Sequence, residues 1–302
     1  MFRRERFIQV NDLTKHYGNV VALESVYFDV GEGESFTILG PSGSGKTTLL
    51  HILLGLKRPT WGTAEILGYD CVSESAHIRE RVGCVFAGQR FHPALTGHEY
   101  LDLAAAARRG GGSRRPELVE RLRINESEKI ANCSQGELMR LVWAMALLHR
   151  PPILLLDNPL VGMDDSSRRV VLDMIADERR NGTTILLTTD SPRDAARVSD
   201  RVATLVNGDL TFIRDMHRLN QKLGRRLKIV FRQDVDLQDF ITHNMSVVSR
   251  NGREWVVTLD GEAGSLIKRL GKHSVEDVIV IEDAIEHVLM DMMRGRGPGP
   301  YV

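Results

Sequence analysis

The chain has 302 residues, enough for one sizeable core and a smaller second domain. Lys plus Arg and Asp plus Glu each number 40, so the basic excess that a nucleic-acid partner requires is absent, and Arg3, Arg4 and Arg6 read as a solvated terminus. Cys71, Cys84 and Cys133 stand apart, without C-x-x-C spacing or paired histidines, which argues against a disulfide framework or a zinc site and fits a reducing compartment. No secretory leader opens the chain, and no apolar run approaches the ~18 residues of a bilayer span, so a membrane part would belong to another chain.

From Phe7 to about Phe212, apolar runs of strand length alternate with amphipathic stretches and Gly-rich turns, the pattern of an α/β domain with a largely parallel sheet. Buried strands are expected at Ser35–Leu39, Val82–Phe86, Ile153–Asp157 and Thr184–Thr188. Between the first of these and a helix over Thr47–Leu54 lies Gly40-Pro-Ser-Gly-Ser-Gly-Lys-Thr47, an unbroken G-x-x-x-x-G-K-[ST] loop. In such a loop Gly40, Gly43 and Gly45 let backbone N–H groups, including those of Ser42, Ser44 and Thr48, curl around phosphate oxygens at a helix N-terminus. Lys46 reaches the outer phosphates and the Thr47 hydroxyl ligates Mg²⁺. The expected cofactors are therefore ATP and Mg²⁺. Farther on, Asp157 ends an apolar strand where it can hold Mg²⁺, and Ser134 precedes a helix expected over Leu138–Leu148. The run 108–116 carries three consecutive glycines between paired arginines and reads as a flexible surface loop.

A basic, helix-prone link over 214–226 leads to a different texture. Residues 227–294 read as strand (227–232), short helix (235–243), strand (245–250), an Asn251–Gly252 turn, strand (253–259), helix (264–272), strand (275–281) and helix (283–293). That order, β-α-β-β-α-β, predicts a small α+β domain of ferredoxin-like type, followed by a disordered tail at 295–302.

Five segments in series resemble the ATP-binding subunits of ABC transporters over 1–213. LTKHYGNVVAL (13–23) places Tyr17 where the family stacks an aromatic ring on adenine; the phosphate loop follows at 40–47. VGCVFAGQRFHPALTGHEYL (82–101) resembles the segment that leads into the family's helical subdomain and touches the transmembrane partner. NCSQGELMRLVWAMALLHRPPILLLDNPLVGMD (132–164) resembles the signature, its helix, the second nucleotide motif and a dimer-contacting loop ending at Asp164. TTILLTTDSPRDAARVSDRVATLVNGDL (183–210) resembles the switch that senses the γ-phosphate. The resemblance implies a P-loop NTPase fold with a helical subdomain. It also implies that Ser134, Gln135, Gly136 and Glu137 complete the nucleotide site of an opposite subunit, so that function requires a dimer, identical or mixed, and a multi-span permease. The C-terminal HSVEDVIVIEDAIEHVLMDMMRG resembles the extension of the drug- and antibiotic-exporter branch, which implies a cytoplasmic chain lying against the inner face of the membrane.

Three positions depart from the family pattern. Asn158 stands where the family places a Glu that accepts the proton of the attacking water, and an amide has no basic oxygen; loss of a general base costs on the order of 10²–10⁴ in rate. Asp190 replaces a γ-phosphate-contacting His, where a carboxylate meets like charge at roughly 4 kcal/mol per unit pair for ~4 Å and an effective dielectric of about 20. It is expected to turn away or to protonate; Asp190 or Ser191 caps the next helix ahead of Pro192, or Asp190 supplies the missing base. The family's Gln aligns with Ala87, while a Gln occurs at Gln89, and only 34 residues separate Glu99 from Ser134, a short helical subdomain. The reading that follows is an exporter ATP-binding subunit with impaired hydrolysis at its own site. A soluble ATP-gated switch and a slow but genuine ATPase using Gln89 are the alternatives.

Overall fold

The computed structural model describes residues 5–86, 88–108, 111–223, 225–236, 245–259, 264–281 and 283–294. Two sheets build the larger of two compact units, which spans Met1–Ile213. In the first, β1 (Arg6–Tyr17) pairs antiparallel with β2 (Val20–Gly31) on one side and with β4 (Trp61–Ile66) on the other, and β5 (Tyr69–Asp70) closes the order β2-β1-β4-β5. These strands alternate between buried and exposed positions, which is why the sequence reading, tuned to continuous apolar runs, did not foresee this sheet.

The second sheet runs β10 (Asp209–Asp215), β9 (Arg201–Val206), β3 (Ser35–Leu39), β8 (Thr184–Thr189), β7 (Ile153–Asp157), β6 (Val82–Phe86). From β9 to β6 all neighbours are parallel. Every residue of β3, β7 and β8 is buried, as a strand covered on both faces must be. The register sets Leu39 beside Thr189 and Asp157 beside Thr188, so the carboxyl ends of three central strands meet where the phosphate loop leaves β3. From that loop runs α1 (Lys46–Leu53), one residue earlier at each end than the sequence spacing predicts.

Beyond the sheets lie α2 (Ser75–Arg81), α3 (Gly97–Ala106), α4 (Arg115–Leu122), α5 (Gln135–Leu147), α6 (Asp165–Arg180) and α7 (Pro192–Val198). A core of Leu101, Leu118, Leu122, Trp143 and Leu147 joins α3, α4 and α5 and continues onto Leu154 and Leu156 of β7. The loop expected at 108–116 needs correction at its end: 109–110 lie outside the described residues and 111–114 are turn, but α4 starts at Arg115 with Pro116 in its first turn, where a missing N–H costs nothing. Arg114, just before it, is buried: its guanidinium reaches Glu178 of α6 at 2.7 Å, both side chains being 6% exposed, and Glu117 at 2.9 Å. Arg121 adds a second α4-to-α6 pair with Asp177 at 2.5 Å. A charge buried with its counter-charge is what pulled this run inward, and no periodicity announces such a pair. Past the end of α5, the ring nitrogens of His149 are buried without a hydrogen-bond partner among the described residues. Burial, with the Arg108 charge assisting, pushes its pKa down to about 4.

The second unit spans Arg214–Val302. The stretch 214–226 is not an open connection: it holds the end of β10, α8 (Met216–Leu223), whose Met216 and Leu219 are buried, and the start of β11 (Arg225–Phe231). β12 (Met245–Asn251), β13 (Glu254–Leu259) and β14 (Val275–Ile281) complete a sheet of order β12-β13-β11-β14, antiparallel throughout. Its first and last strands are thus neighbours, the order of a split β-α-β layer. Asn251 and Gly252 (φ 56°) turn β12 into β13. Trp255, Ile229 and Phe231 form the unit's core with Leu266 of α9 (Gly264–Leu270), and α10 (Asp283–Met293) buries Leu289 and Met292. The helix expected at 235–243 and the tail at 295–302 lie, apart from Val235 and Asp236, outside the described residues, as does Ala87.

Two consequences are measurable. Replacing Glu178 with Ala strands a buried guanidinium that keeps only the half-exposed Glu117; urea unfolding should show a loss of roughly 3 kcal/mol, against less than about 1 for Glu117→Ala, and equal effects would contradict the burial argument. His149 binds its proton near pH 6.5 when unfolded but only near pH 4 when folded, so between these values the unfolded chain holds the extra proton. Its contribution to stability is complete above about pH 6.5 and is lost as the pH falls toward 4. The Phe variant at 149 should show a flatter stability profile across that window, and an unchanged slope would assign the acid sensitivity elsewhere.

Candidate functional site

The phosphate loop is shaped by its neighbours as much as by its glycines. A side chain at residue 45 (φ 108°) would lie 2.2 Å from the Ala22 carbonyl oxygen, and one at residue 40 would lie 2.2 Å from the Leu205 oxygen, so only glycine fits either place. Gly45 caps α1 without any side-chain acceptor, leaving the first-turn N–H groups aimed outward. Ser44 is buried, and its Oγ has no partner among the described residues. An uncapped helix end with an orphaned hydroxyl beside it is a fitting cradle for phosphate oxygens. Lys46 donates through Nζ to the carbonyl oxygens of Gly40 and Pro41, at 2.7 Å each. Burial lowers its pKa, while the charges of Asp190 and Asp157 pull the other way.

Asp157 is the hub of the corner. Thr47 Oγ1 donates to its Oδ2 at 2.7 Å and Thr188 Oγ1 donates to its Oδ1 at 2.6 Å, so β7, β8 and α1 meet on one buried carboxylate. A hydroxyl and a carboxylate held together by fixed elements are hard oxygen donors of the kind Mg²⁺ takes. Thr188 was missed from sequence; its signal was the polar end of an otherwise apolar strand, TILLTT.

Next to the hub, Asn158 adopts the left-handed conformation (φ 44°), which Asn tolerates better than most side chains. Its N–H donates to the Thr188 carbonyl oxygen at 2.9 Å, extending the strand ladder by one bond, and its Oδ1 is buried without a partner among the described residues. Thr47, Asp157, Asn158 and Gln89 all line one cavity of about 600 Å³. The amide oxygen can accept a hydrogen bond from water there, but it cannot take the proton.

The remaining expected residues fall in three places. Asp190 is exposed, with its charge felt at Lys46; the cap of α7 falls to Ser191, whose Oγ accepts from the Asp194 N–H at 3.3 Å, so the capping role expected of either residue belongs to Ser191. Tyr17 ends β1, 42% exposed, with the ammonium groups of Lys15 and Lys57 at 5.0 and 5.9 Å from its ring centre. Ser134 caps α5, which starts three residues earlier than expected: its Oγ accepts from the Glu137 N–H at 3.3 Å while Glu137 Oε2 accepts from the Ser134 N–H at 2.8 Å. This reciprocal cap puts Gln135 and Gly136 inside the first turn. Asp164 caps α6 by accepting from the backbone and hydroxyls of Ser166 and Ser167, which hold its carboxyl well below the usual range. The signature end and the hub are tied together, because Trp143 Nε1 of α5 donates to Pro159 O at 3.4 Å and Gly162 (φ 76°) lies against the Gln135 side chain.

Comparison with known proteins follows the same lines. A model of the ABC transporter family matches residues 23–161. The chain is 34% identical over 210 residues to an uncharacterized ABC transporter ATP-binding protein of Bacillus subtilis, covering 68% of each chain. A doxorubicin resistance ATP-binding protein of Mycobacterium tuberculosis is 29% identical over 307 residues, with 94% of this chain and 93% of that one covered. A fluoroquinolones export ATP-binding protein of the same species is 32% identical over 232 residues, 75% and 77% covered. Among solved structures, a dimeric ATP-binding cassette in a post-hydrolysis state bound to ADP and Pi superposes with a TM-score of 0.63 at 26% identity, over 69% of this chain and 98% of the other. The ATP-binding subunit of an ABC transporter gives 0.66 at 27%, over 72% and 92%. With the P-loop fold, the loop geometry and these relatives in agreement, the chain belongs to the ABC transporter ATP-binding family.

Proposed function

We propose that this chain is the ATP-binding subunit of an ABC exporter, holding Mg-ATP at a site that is poorly able to split it. The observation that carries this is Asn158, an amide whose buried oxygen has no hydrogen-bond partner among the described residues, beside the Thr47–Asp157 pair. In this reading the loop N–H groups and Lys46 hold the phosphates, Tyr17 stacks on the base, and Thr47 with Asp157 holds Mg²⁺, which neutralises phosphate charge. Asn158 orients water without accepting its proton, so the nucleotide-bound state is long-lived. The charge of Asp190 offsets part of the burial that lowers the Lys46 pKa, and adds negative charge toward the γ-phosphate.

A dimer follows from the signature: Ser134, Gln135, Gly136 and Glu137 at the head of α5, with Asp164 on the adjoining loop, present a helix N-terminus to the nucleotide of a second cassette. A sister chain with an intact site, completed by this α5, would supply hydrolysis. Among the described residues no helix is long and apolar enough to cross a membrane, so a multi-span permease would carry the transport path and hold this chain at the cytoplasmic face. The named relatives in doxorubicin resistance and fluoroquinolone export favour an amphipathic small molecule as cargo. One observation supports a second reading, a slow but real ATPase: Gln89 lines the same cavity as Thr47 and Asn158.

Phosphate release by the purified chain tests the impaired site. The parent chain should turn over slowly, Asn158→Glu should raise the rate by at least ~10²-fold, and Lys46→Ala should abolish it. A parent rate equal to that of Asn158→Glu would overturn impaired hydrolysis.

A further inference from the structure

The Asp157 carboxylate has two anchors, and only one of them belongs to the phosphate loop. The other comes from β8, which carries three buried threonines. Thr184 Oγ1 accepts from the Gly33 N–H at 2.9 Å and Thr189 Oγ1 from the Ser191 N–H at 3.1 Å, so both satisfy backbone. Thr188 Oγ1 instead donates to Asp157 Oδ1 at 2.6 Å. Its other acceptor, the Leu156 carbonyl oxygen, lies at 3.5 Å, and a hydroxyl has one proton to give.

An aspartate turns easily about its last side-chain bond, so a single hydrogen bond leaves the carboxylate plane free to swing. Here Thr47 of α1 holds Oδ2 and Thr188 of β8 holds Oδ1, and two bonds from separate elements fix that plane. Thr188 is itself held firmly. Its side chain is β-branched and fully buried, and its strand pairs with β3 on one side and β7 on the other. Its carbonyl oxygen accepts from the Asn158 N–H at 2.9 Å, while that of Thr189 accepts from the Gly40 N–H at 3.0 Å. The end of β8 therefore bonds to the first residue of the phosphate loop, to the carboxylate and to residue 158.

We propose that Thr188 is a positioning residue for Mg²⁺, resting on the assignment of Thr47 and Asp157 as the groups that hold the ion. By keeping Asp157 Oδ1, it leaves Oδ2 beside Thr47 Oγ1, 2.7 Å away, as a preset pair of oxygen donors. Thr188 acts through Asp157 alone and meets neither nucleotide nor metal. Without its hydroxyl, Oδ1 would be buried with no donor, and the carboxylate would turn to find one.

The test is calorimetric titration of the full-length chain with a non-hydrolysable ATP analogue, once in Mg²⁺ and once in EDTA, the ratio of affinities giving the gain due to the metal. Thr188→Val removes the hydroxyl at nearly constant shape; it should cut that gain by about ten- to a hundredfold, as for other outer partners of metal ligands, and leave the affinity in EDTA unchanged. Thr188→Ser keeps a hydroxyl and should recover the gain. Asp157→Asn checks the underlying assignment and should abolish the gain. If Asp157→Asn loses the gain while Thr188→Val keeps it, the metal assignment stands and the positioning role is overturned. Equal loss in Mg²⁺ and in EDTA for Thr188→Val would make the residue merely structural and also overturn it. A gain that survives Asp157→Asn would remove the metal assignment and the role of Thr188 with it. Thr188→Ala decides the matter on the same criteria if the Val variant misfolds.

Discussion

The carboxylate of Asp157 is the constraint on which the corner of the molecule rests. A buried carboxylate must be hydrogen-bonded or paired, and here two hydroxyls meet it, one from α1 and one from β8. Those two bonds fix the rotation of α1 about the phosphate loop and the height of β8 relative to β7. They therefore bear on where the uncapped N–H groups of α1 point, while the Lys46 ammonium is held by the carbonyl oxygens of Gly40 and Pro41. Leave the carboxylate out, and β7 is only another apolar strand.

Because Asp157 is held, its neighbour has little freedom. The N–H of Asn158 continues the ladder to Thr188 and its backbone turns left-handed, so the side chain is delivered into the cavity whatever its chemistry. The fold presents a side chain at this point, and the residue type decides whether that side chain is a base. In the proposed reading, binding and splitting a nucleotide are separable: the donors that would hold phosphate are mostly backbone, while the proton acceptor would be a single replaceable side chain.

The same corner is connected outward by contacts of a different kind. Trp143 and Gly162 carry it to the head of α5, and the Arg114–Glu178 and Arg121–Asp177 pairs fasten α4 to α6. The first of these pairs is buried and therefore costly to break, whereas the second is about a third exposed and adds less. A helical region with few residues to bury gains its register in this way.

Sequence determined what depends on neighbours in the chain. The phosphate loop, the strands β3, β6 and β7, the Asn–Gly turn before β13 and the cap offered at Ser191 beside Asp190 follow from local spacing and propensity, whereas the caps at Ser134 and Asp164 emerged only from the structure. It also supplied the three departures at Ala87, Asn158 and Asp190, since residue types are visible in the letters. Tertiary structure alone decided which distant groups meet. Thr188 on Asp157 and Arg114 on Glu178 join residues far apart in sequence, and no periodicity encodes a pairing across 31 or 64 positions. Local propensity is read along the chain, whereas the energy of a buried charge depends on what surrounds it in space, and the surroundings exist only after folding.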